Sequence, residues 1–458
     1  MVESNDRRRF LQTVGAVGVA GLAGCVKNNS SGGGNGETTT TTSSGTTAGG
    51  TTSASEAIKL GLNFPLSGGL STFGQEAMHG VELRVNEINA NGGIDGRKIE
   101  LIKKDAKDTD AAVSNVEDLA SAKADAVMGS FSSSIAKAAS QAAKRYNLIY
   151  WETTGFSPEI SKPGYKNVYH TNARTTTYGK QGGEILKTVV AKQLGKSVSE
   201  LDVAILYENG VFGTSTKDEM VAQADKYGYN VVAEEGYPPF SIQDFSSIIQ
   251  KFKSANPTVV YHSGYNSDTN LFWKQARNLG FYVPAAVGNG TAYMLHSFVD
   301  AVGDQTSMGI INVDQPTYNT NQSWASGVKN VLSKYEDSYS KTPVSQLPCT
   351  TYSVTQLFEQ AAKNTNSFGV DDFEQAVLGL DVEFGGTANG WGGKFDAEHH
   401  RNQRVRVAGH QWQKDTYTDD VYHPDQSDGA LDIYAVYPDV AKLDMIDINN
   451  IPRPEYTK

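Results

Sequence analysis

Residues 125–154 read DAVMGSFSSSIAKAASQAAKRYNLIYWETT, and the alternation inside this stretch decides the fold. A short apolar run, Ala126-Val127-Met128, stops at Gly129. Ser132, Ser133 and Ser134 follow, then an Ala-rich amphipathic segment to Tyr146. A second apolar run, Leu148-Ile149-Tyr150, ends in the polar Glu152-Thr153-Thr154. The pattern is strand, turn, helix, strand, turn. In an open parallel sheet ligands bind just beyond the carboxyl ends of the strands, and both polar turns fall on that edge. The serine turn opens a helix, so its free N–H groups and hydroxyls face an incoming acceptor group. Serine is also an ordinary helix cap, and that purely structural reading stands beside the binding one.

Working outward, the same alternation continues. Residues 58–64 (IKLGLNF) begin a strand, and Pro65-Leu66-Ser67-Gly68-Gly69 turn out of it. Phe73 to Ala90 reads as a helix ended by Asn91-Gly92-Gly93-Ile94-Asp95-Gly96, and Ile99 to Lys104 is the next strand. Ala111 to Ala122 is a helix leading into the opening stretch. Further along, strands at 201–207, 230–234, 257–261 and 285–290 alternate with helices at 214–227, 245–255 and 270–279. Alternation of this kind predicts α/β architecture, with parallel sheet covered by helices on both faces.

The N-terminus carries a different signal. Arg7-Arg8-Arg9-Phe10-Leu11 resembles a twin-arginine export motif. A weakly hydrophobic run, Thr13 to Ala23, is too short to span a bilayer, which needs ~20 residues. Leu22-Ala23-Gly24-Cys25 resembles a lipobox, in which Cys25 receives lipid. Residues 1–25 therefore read as a lipoprotein signal peptide and 26–56, a Ser/Thr/Gly tract with almost no apolar residues, as a disordered tether. The expected location is the extracytoplasmic face of the cell membrane, lipid-anchored. With Cys25 lipidated, Cys349 has no partner and no internal disulfide is expected; Cys349 reads as a small buried hydrophobe. The chain has 51 acidic against 40 basic residues, a net charge of -11 that argues against a nucleic-acid partner.

Several of these segments together resemble a family. Pro65-Leu66-Ser67-Gly68-Gly69, Asn89 to Arg97 (NANGGIDGR), Asp105, Gly129 with Ser132–Ser134, and Thr154 with Ser157-Pro158-Glu159 are similar to the solute-binding lipoproteins of ABC importers, of the leucine/isoleucine/valine-binding kind. The resemblance runs from about Ile58 to Trp412. It implies a two-lobed type I periplasmic-binding-protein fold, each lobe a parallel sheet with helices on both faces. It places lobe 1 at 57–172 plus about 316–400, and lobe 2 at 173–315 plus about 401–458. Three crossings between them form a hinge. Residues 413–458 exceed the usual pattern. The implied partners are a small polar solute and the membrane permease subunits of an importer, the chain acting as a monomer.

The family holds an amino acid between its lobes. Ser132 matches the serine that grips its carboxylate and Thr154 the threonine, and Ser133 and Thr153 beside them are further candidate ligand residues. Phe73 matches the first-lobe aromatic, and Phe212 and Tyr265 those of the second lobe. The family's acidic ammonium partner falls at Gly290, so no carboxylate waits there. Glu152 is one substitute, with Trp151, Phe212, Tyr265 and Tyr293 completing an aromatic wall for a cation. An amino acid held differently, an amide or urea-like compound, and a small cation all remain open. Glu152 also reads as a carboxylate capping a turn.

No catalytic or cofactor motif occurs. His-Glu-x-x-His, Gly-x-Ser-x-Gly and the phosphate-loop lysine pattern are missing from the sequence, and His399, His400, His410 and His423 read as solvated loop residues. No metal or cofactor is expected, and no enzyme activity. Asn289 and Asn321 head glycosylation sequons. The competing functional reading is a sensor of the same fold that signals to a membrane partner.

Overall fold

The computed structural model describes residues 56–414 and 431–443. The signal peptide with Cys25, almost all of the tether, His423 and the last residues of the C-terminal extension lie outside the described residues.

The first lobe is built on strands β1 (Ile58–Phe64), β2 (Ile99–Asp105), β3 (Ala126–Gly129), β4 (Ile149–Glu152) and β5 (Val168–His170). They form one parallel sheet in the order β2-β1-β3-β4-β5. The central strands β3 and β4 are buried at every position, which only helices on both faces can do. Helices α1 (Ser71–Ala90), α2 (Thr109–Ser121) and α3 (Ser133–Tyr146) supply that cover. Asn147, left-handed at φ 51, ends α3. The family-like segment at 89–97 is a structural clamp. Asn89 pairs its amide with both backbone groups of Ile99, at 2.8 Å each, and fixes the start of β2. Asp105 in turn accepts from the N–H of Leu66 at 2.8 Å and the hydroxyl of Ser67 at 2.6 Å, setting the turn after β1.

The chain then enters the second lobe through α4 (Thr175–Ile185) and the short α5 (Ala191–Leu194). Strands β6 (Asp202–Glu208), β7 (Asn230–Tyr237), β8 (Val259–Ser263), β9 (Ala285–Asn289) and β10 (Ile310–Asp314) pair in parallel. Between them run α6 (Val211–Tyr227), α7 (Ser246–Ala255), α8 (Asn266–Asn278), α9 (His296–Val302) and α10 (Asp304–Ser307). Edge strand β7 alternates exposed and half-buried positions, as a strand covered less completely should.

Helices α11 (Val328–Tyr339), α12 (Leu347–Asn364) and α13 (Val370–Leu378) return to the first lobe. Leu357, Phe358, Phe373 and Phe395 join its core. The chain crosses back, and β11 (Ala408–Lys414) and β12 (Leu431–Tyr437) finish the second sheet, order β12-β11-β10-β9-β8-β6-β7. Both sheets are dominated by parallel pairing, as expected, and the second departs from it only at its end, where β10–β11 and β11–β12 are antiparallel. The reason is local. The crossing before β11 delivers the chain to the carboxyl end of β10, so β11 can only run back alongside it. Part of the unassigned C-terminal extension is thus sheet, with β12 its edge.

The three passages between lobes are fastened side by side. Gln315 donates to Asn172 at 2.8 Å, the Tyr178 hydroxyl donates to Asp314 at 3.1 Å, and Arg174 donates to the carbonyl of Asn402 at 2.9 Å. Burial pushes the Asp314 carboxyl up to about 7. Cys349 is buried and free, its thiol pushed up to about 12 by burial. Among the described residues no helix is long and apolar enough to cross a membrane.

Candidate functional site

Beyond the carboxyl ends of the strands a narrow cavity lies between the lobes, its empty space of about 400 Å³ including a part open to solvent. From the first lobe it is lined by Phe73, Phe131, Ser132, Ser133, Thr154 and Phe156. From the second come Phe212, Gly264, Tyr265, Asn266, Gly290, Thr291 and Ala292. The lobes touch across it. The Tyr265 hydroxyl donates to Ser132 Oγ at 3.3 Å, Ser157 and Ser215 hydroxyls pair at 2.6 Å, and Gln346 donates to Thr291 Oγ1 at 3.3 Å.

The serine turn differs from the simple cap that its sequence suggests. Ser132 occupies the N-cap position of α3 at φ 79, yet its side chain makes no capping bond. It is turned into the cavity toward Tyr265 instead, and the first turn of α3 keeps N–H groups without a side-chain acceptor. Ser133 takes the opposite role. Its Oγ accepts from the N–H groups of Phe156 and Ser157, 3.1 Å each, and so ties the loop after β4 to the helix start. Thr154 lines the cavity with its hydroxyl donating to the carbonyl of Ser130 at 3.1 Å.

Rings dominate the walls. Phe73 and Phe131 stack at 4.9 Å. Phe212, in the first turn of α6, meets Phe156 edge-on at 5.6 Å and Tyr265 at 6.1 Å. Phe240 stacks on Tyr265 at 4.6 Å on the outer side, where a wider space opens toward solvent. Gly290 has φ 93, and a Cβ there would stand 3.3 Å from the Phe212 ring. The glycine therefore keeps that aromatic wall close to the turn.

Four predicted site residues are elsewhere. Glu152 does not face the cleft. It is fully buried beneath its own turn, where one oxygen accepts from the N–H groups of Thr154, at 2.7 Å, and Gly155. Its other oxygen lies 3.5 Å from Nε2 of the equally buried His170, which is itself 2.9 Å from the Gly155 carbonyl. Burial drives the Glu152 carboxyl well above its ordinary range and the His170 imidazole well below its own, each toward its neutral form. Trp151 is core: its ring packs among Tyr169, Phe358, Phe373 and Phe395, and its N–H donates to the Val354 carbonyl at 3.0 Å. Tyr293 is buried in the second lobe, bonded to His262 at 2.5 Å and to Trp273 at 2.9 Å. Thr153 is buried as well, its N–H donating to the Gly129 carbonyl at 3.1 Å. The cation wall is therefore dismantled. Two further expectations fall with burial: His400 and His410 are buried rather than solvated, and Asn289, fully buried, is no acceptor for a sugar in the folded chain.

The second lobe repeats the device. Glu208, at the end of β6, accepts from the N–H groups of Gly210 and Gly213 at 2.6 Å each and sets the turn into α6. Asp268 accepts from the Phe240 N–H at 3.1 Å. The acidic side chains nearest the cavity shape turns and leave its surface uncharged. Phe131, Phe156, Asn266, Thr291 and Ala292 were not singled out from sequence. Phe131, Phe156 and Asn266 each neighbour a predicted turn residue, which is the signal that points to them.

Comparison with known proteins agrees with this architecture. A family model described as periplasmic binding protein matches residues 57–415. A relative from Brucella abortus, named Leu/Ile/Val-binding protein homolog 7, is 34% identical over 394 residues, covering 86% of this chain and 94% of its own. A solved structure of the branched-chain amino acid transporter substrate binding protein LivJ from Streptococcus pneumoniae, in complex with isoleucine, superposes with a TM-score of 0.65 at 22% identity, covering 83% of this chain and 99% of its own. The leucine binding protein LivK from Thermotoga maritima gives 0.66 at 18% identity, covering 83% and 98%.

Proposed function

Because this chain belongs to the periplasmic binding protein family, we propose that it is the extracytoplasmic substrate-binding component of an ABC importer. It captures one small solute between its lobes and presents it to a membrane permease. The observation that carries this reading is the cavity itself, lined from both lobes and bridged by the Tyr265–Ser132 hydrogen bond. A ligand touching both walls binds the closed arrangement better than an open one, so binding energy draws the lobes together over the hinge.

Such a protein is stabilised by its solute. At a hundred times the dissociation constant the gain is about 2.7 kcal/mol. A thermal-shift screen of the full chain against amino acids, carboxylates, amides and quaternary amines is expected to raise the midpoint for one class. Ser132→Ala is expected to weaken that ligand by about 1–1.5 kcal/mol, close to tenfold, through loss of one hydroxyl contact. A screen silent across every class would count against solute capture.

The leader resembles a lipoprotein signal, and Cys25 is the residue that takes the lipid in this reading. The protein is expected in the membrane fraction of its own cells, and Cys25→Ser is expected to release it. Unchanged membrane association of that variant would remove the anchor from the proposal.

A further inference from the structure

Resting on the solute-capture reading, we propose that the ligand is a small monocarboxylate with a branched or aromatic apolar body and no ammonium group. The argument begins with charge. Among the described residues that line the cavity none is charged. The carboxylates closest in the fold, Glu152, Glu208 and Asp268, each bind backbone N–H groups of their own turns or of a neighbouring loop. An ammonium brought into this space has no anionic partner, and an unpaired charge taken out of water is costly.

The second step is the sign of the field. The start of α3 faces the cavity at Ser132 and Ser133, that of α6 at Phe212, and that of α8 at Tyr265 and Asn266. Glu208 accepts from the first N–H groups of α6 and Asp268 lies in the first turn of α8, so the uncompensated positive end at this volume is that of α3, whose first turn holds no acid; it favours an anion and opposes a cation. The Ser132 side chain is withdrawn from its capping role and, accepting from Tyr265, keeps its own hydroxyl proton to give beside the free N–H groups of the α3 start, while Thr154 next to it gives its proton to the Ser130 carbonyl. The Ser132 hydroxyl and those N–H groups are donors of the kind that hold carboxylate oxygens.

The third step is shape. Phe73 stacked on Phe131 faces Phe212 and Tyr265 across the cavity. Such walls fit a flat or branched hydrocarbon body. The result departs from the amino acids that the neighbours' names carry, and the departure follows from where this chain puts its own carboxylates.

The test uses matched pairs that differ only at the amine: leucine against 4-methylpentanoate, and phenylalanine against 3-phenylpropanoate, titrated by calorimetry into the full chain. The deaminated member is expected to bind more tightly by about tenfold or more in at least one pair. Asn266→Asp, close to isosteric and half-buried on the cavity wall, installs the missing carboxylate. It is expected to weaken the carboxylate ligand by about tenfold and to improve the amino acid of the same pair, with its folding checked by the thermal midpoint. Equal or tighter binding of the amino acids to the unaltered chain overturns the proposal and leaves solute capture standing. Binding of neutral amides in place of both pairs does the same. Silence of both pairs overturns the ligand class, and solute capture falls with it only when the wider screen is silent too.

Discussion

Glu152→Ala is expected to lose about 3–5 kcal/mol of stability, whereas Glu152→Gln keeps the fold and gains on it as pH rises. The alanine leaves the N–H groups of Thr154 and Gly155 buried without their acceptor and opens a hole under the turn. Glutamine retains the accepting oxygen. The pH dependence follows from the burial that lifts this carboxyl well above 4.5. A buried acid with a raised pKa holds its proton in the folded state after the unfolded chain has lost it. Its contribution is complete below the ordinary carboxylate range and is lost as pH rises through the raised value. The glutamine has no proton to lose, so the difference between Glu152→Gln and the unaltered chain grows above about pH 4.5. Denaturant unfolding of both variants at pH 5 and pH 8 measures it. A Glu152→Gln protein with an unchanged midpoint but no ligand binding would return Glu152 to the cleft.

The neighbouring ring makes the second large prediction. Trp151→Ala is expected to cost about 3–5 kcal/mol, the usual range for emptying a large buried aromatic site. Trp151 is fully buried, and its partners come from two distant stretches of chain. Tyr169 is on β5, while Phe358, Phe373, Phe395 and the Val354 carbonyl belong to the returning segment. The loss therefore loosens the attachment of α12 and α13 to the sheet. Affinity for the ligand, measured where the variant is still folded, is expected to stay as it was. A variant of normal stability that no longer binds ligand would contradict the core assignment.

These two residues also show where the sequence stops informing. The order of elements was legible because period and punctuation are local: β1 is found at Ile58–Phe64 and α3 ends at Tyr146, both as the sequence reading has them. Turns at strand ends were legible too, which is why Phe73, Ser132, Ser133, Thr154, Phe212, Tyr265 and Gly290 line one cavity. Which way a side chain points inside such a turn was not. All four residues of β4 are buried, so Trp151 and Glu152 carry no alternation to separate core from cleft. Glu152 looks like a ligand group because carboxylates are seldom buried. Only the positions of the Thr154 and Gly155 N–H groups show that it is a brace. The antiparallel β11 and β12 were missed for another reason: strand direction is set by where the third crossing delivers the chain, a non-local fact.

The returning segment has a consequence for how the protein is made. All five strands of the first sheet are translated by His170, but the residues that close the core over Trp151 arrive only with Phe358, Phe373 and Phe395. The second sheet waits longer still, until β12 is complete at Tyr437. During synthesis neither lobe can finish before the other has begun, and a nascent chain stalled midway exposes apolar surface from both. The interleaving that gives the molecule its hinge therefore makes folding nearly all-or-none in chain length. A truncation about thirty residues short of the C-terminus leaves the second lobe's sheet without its last strand.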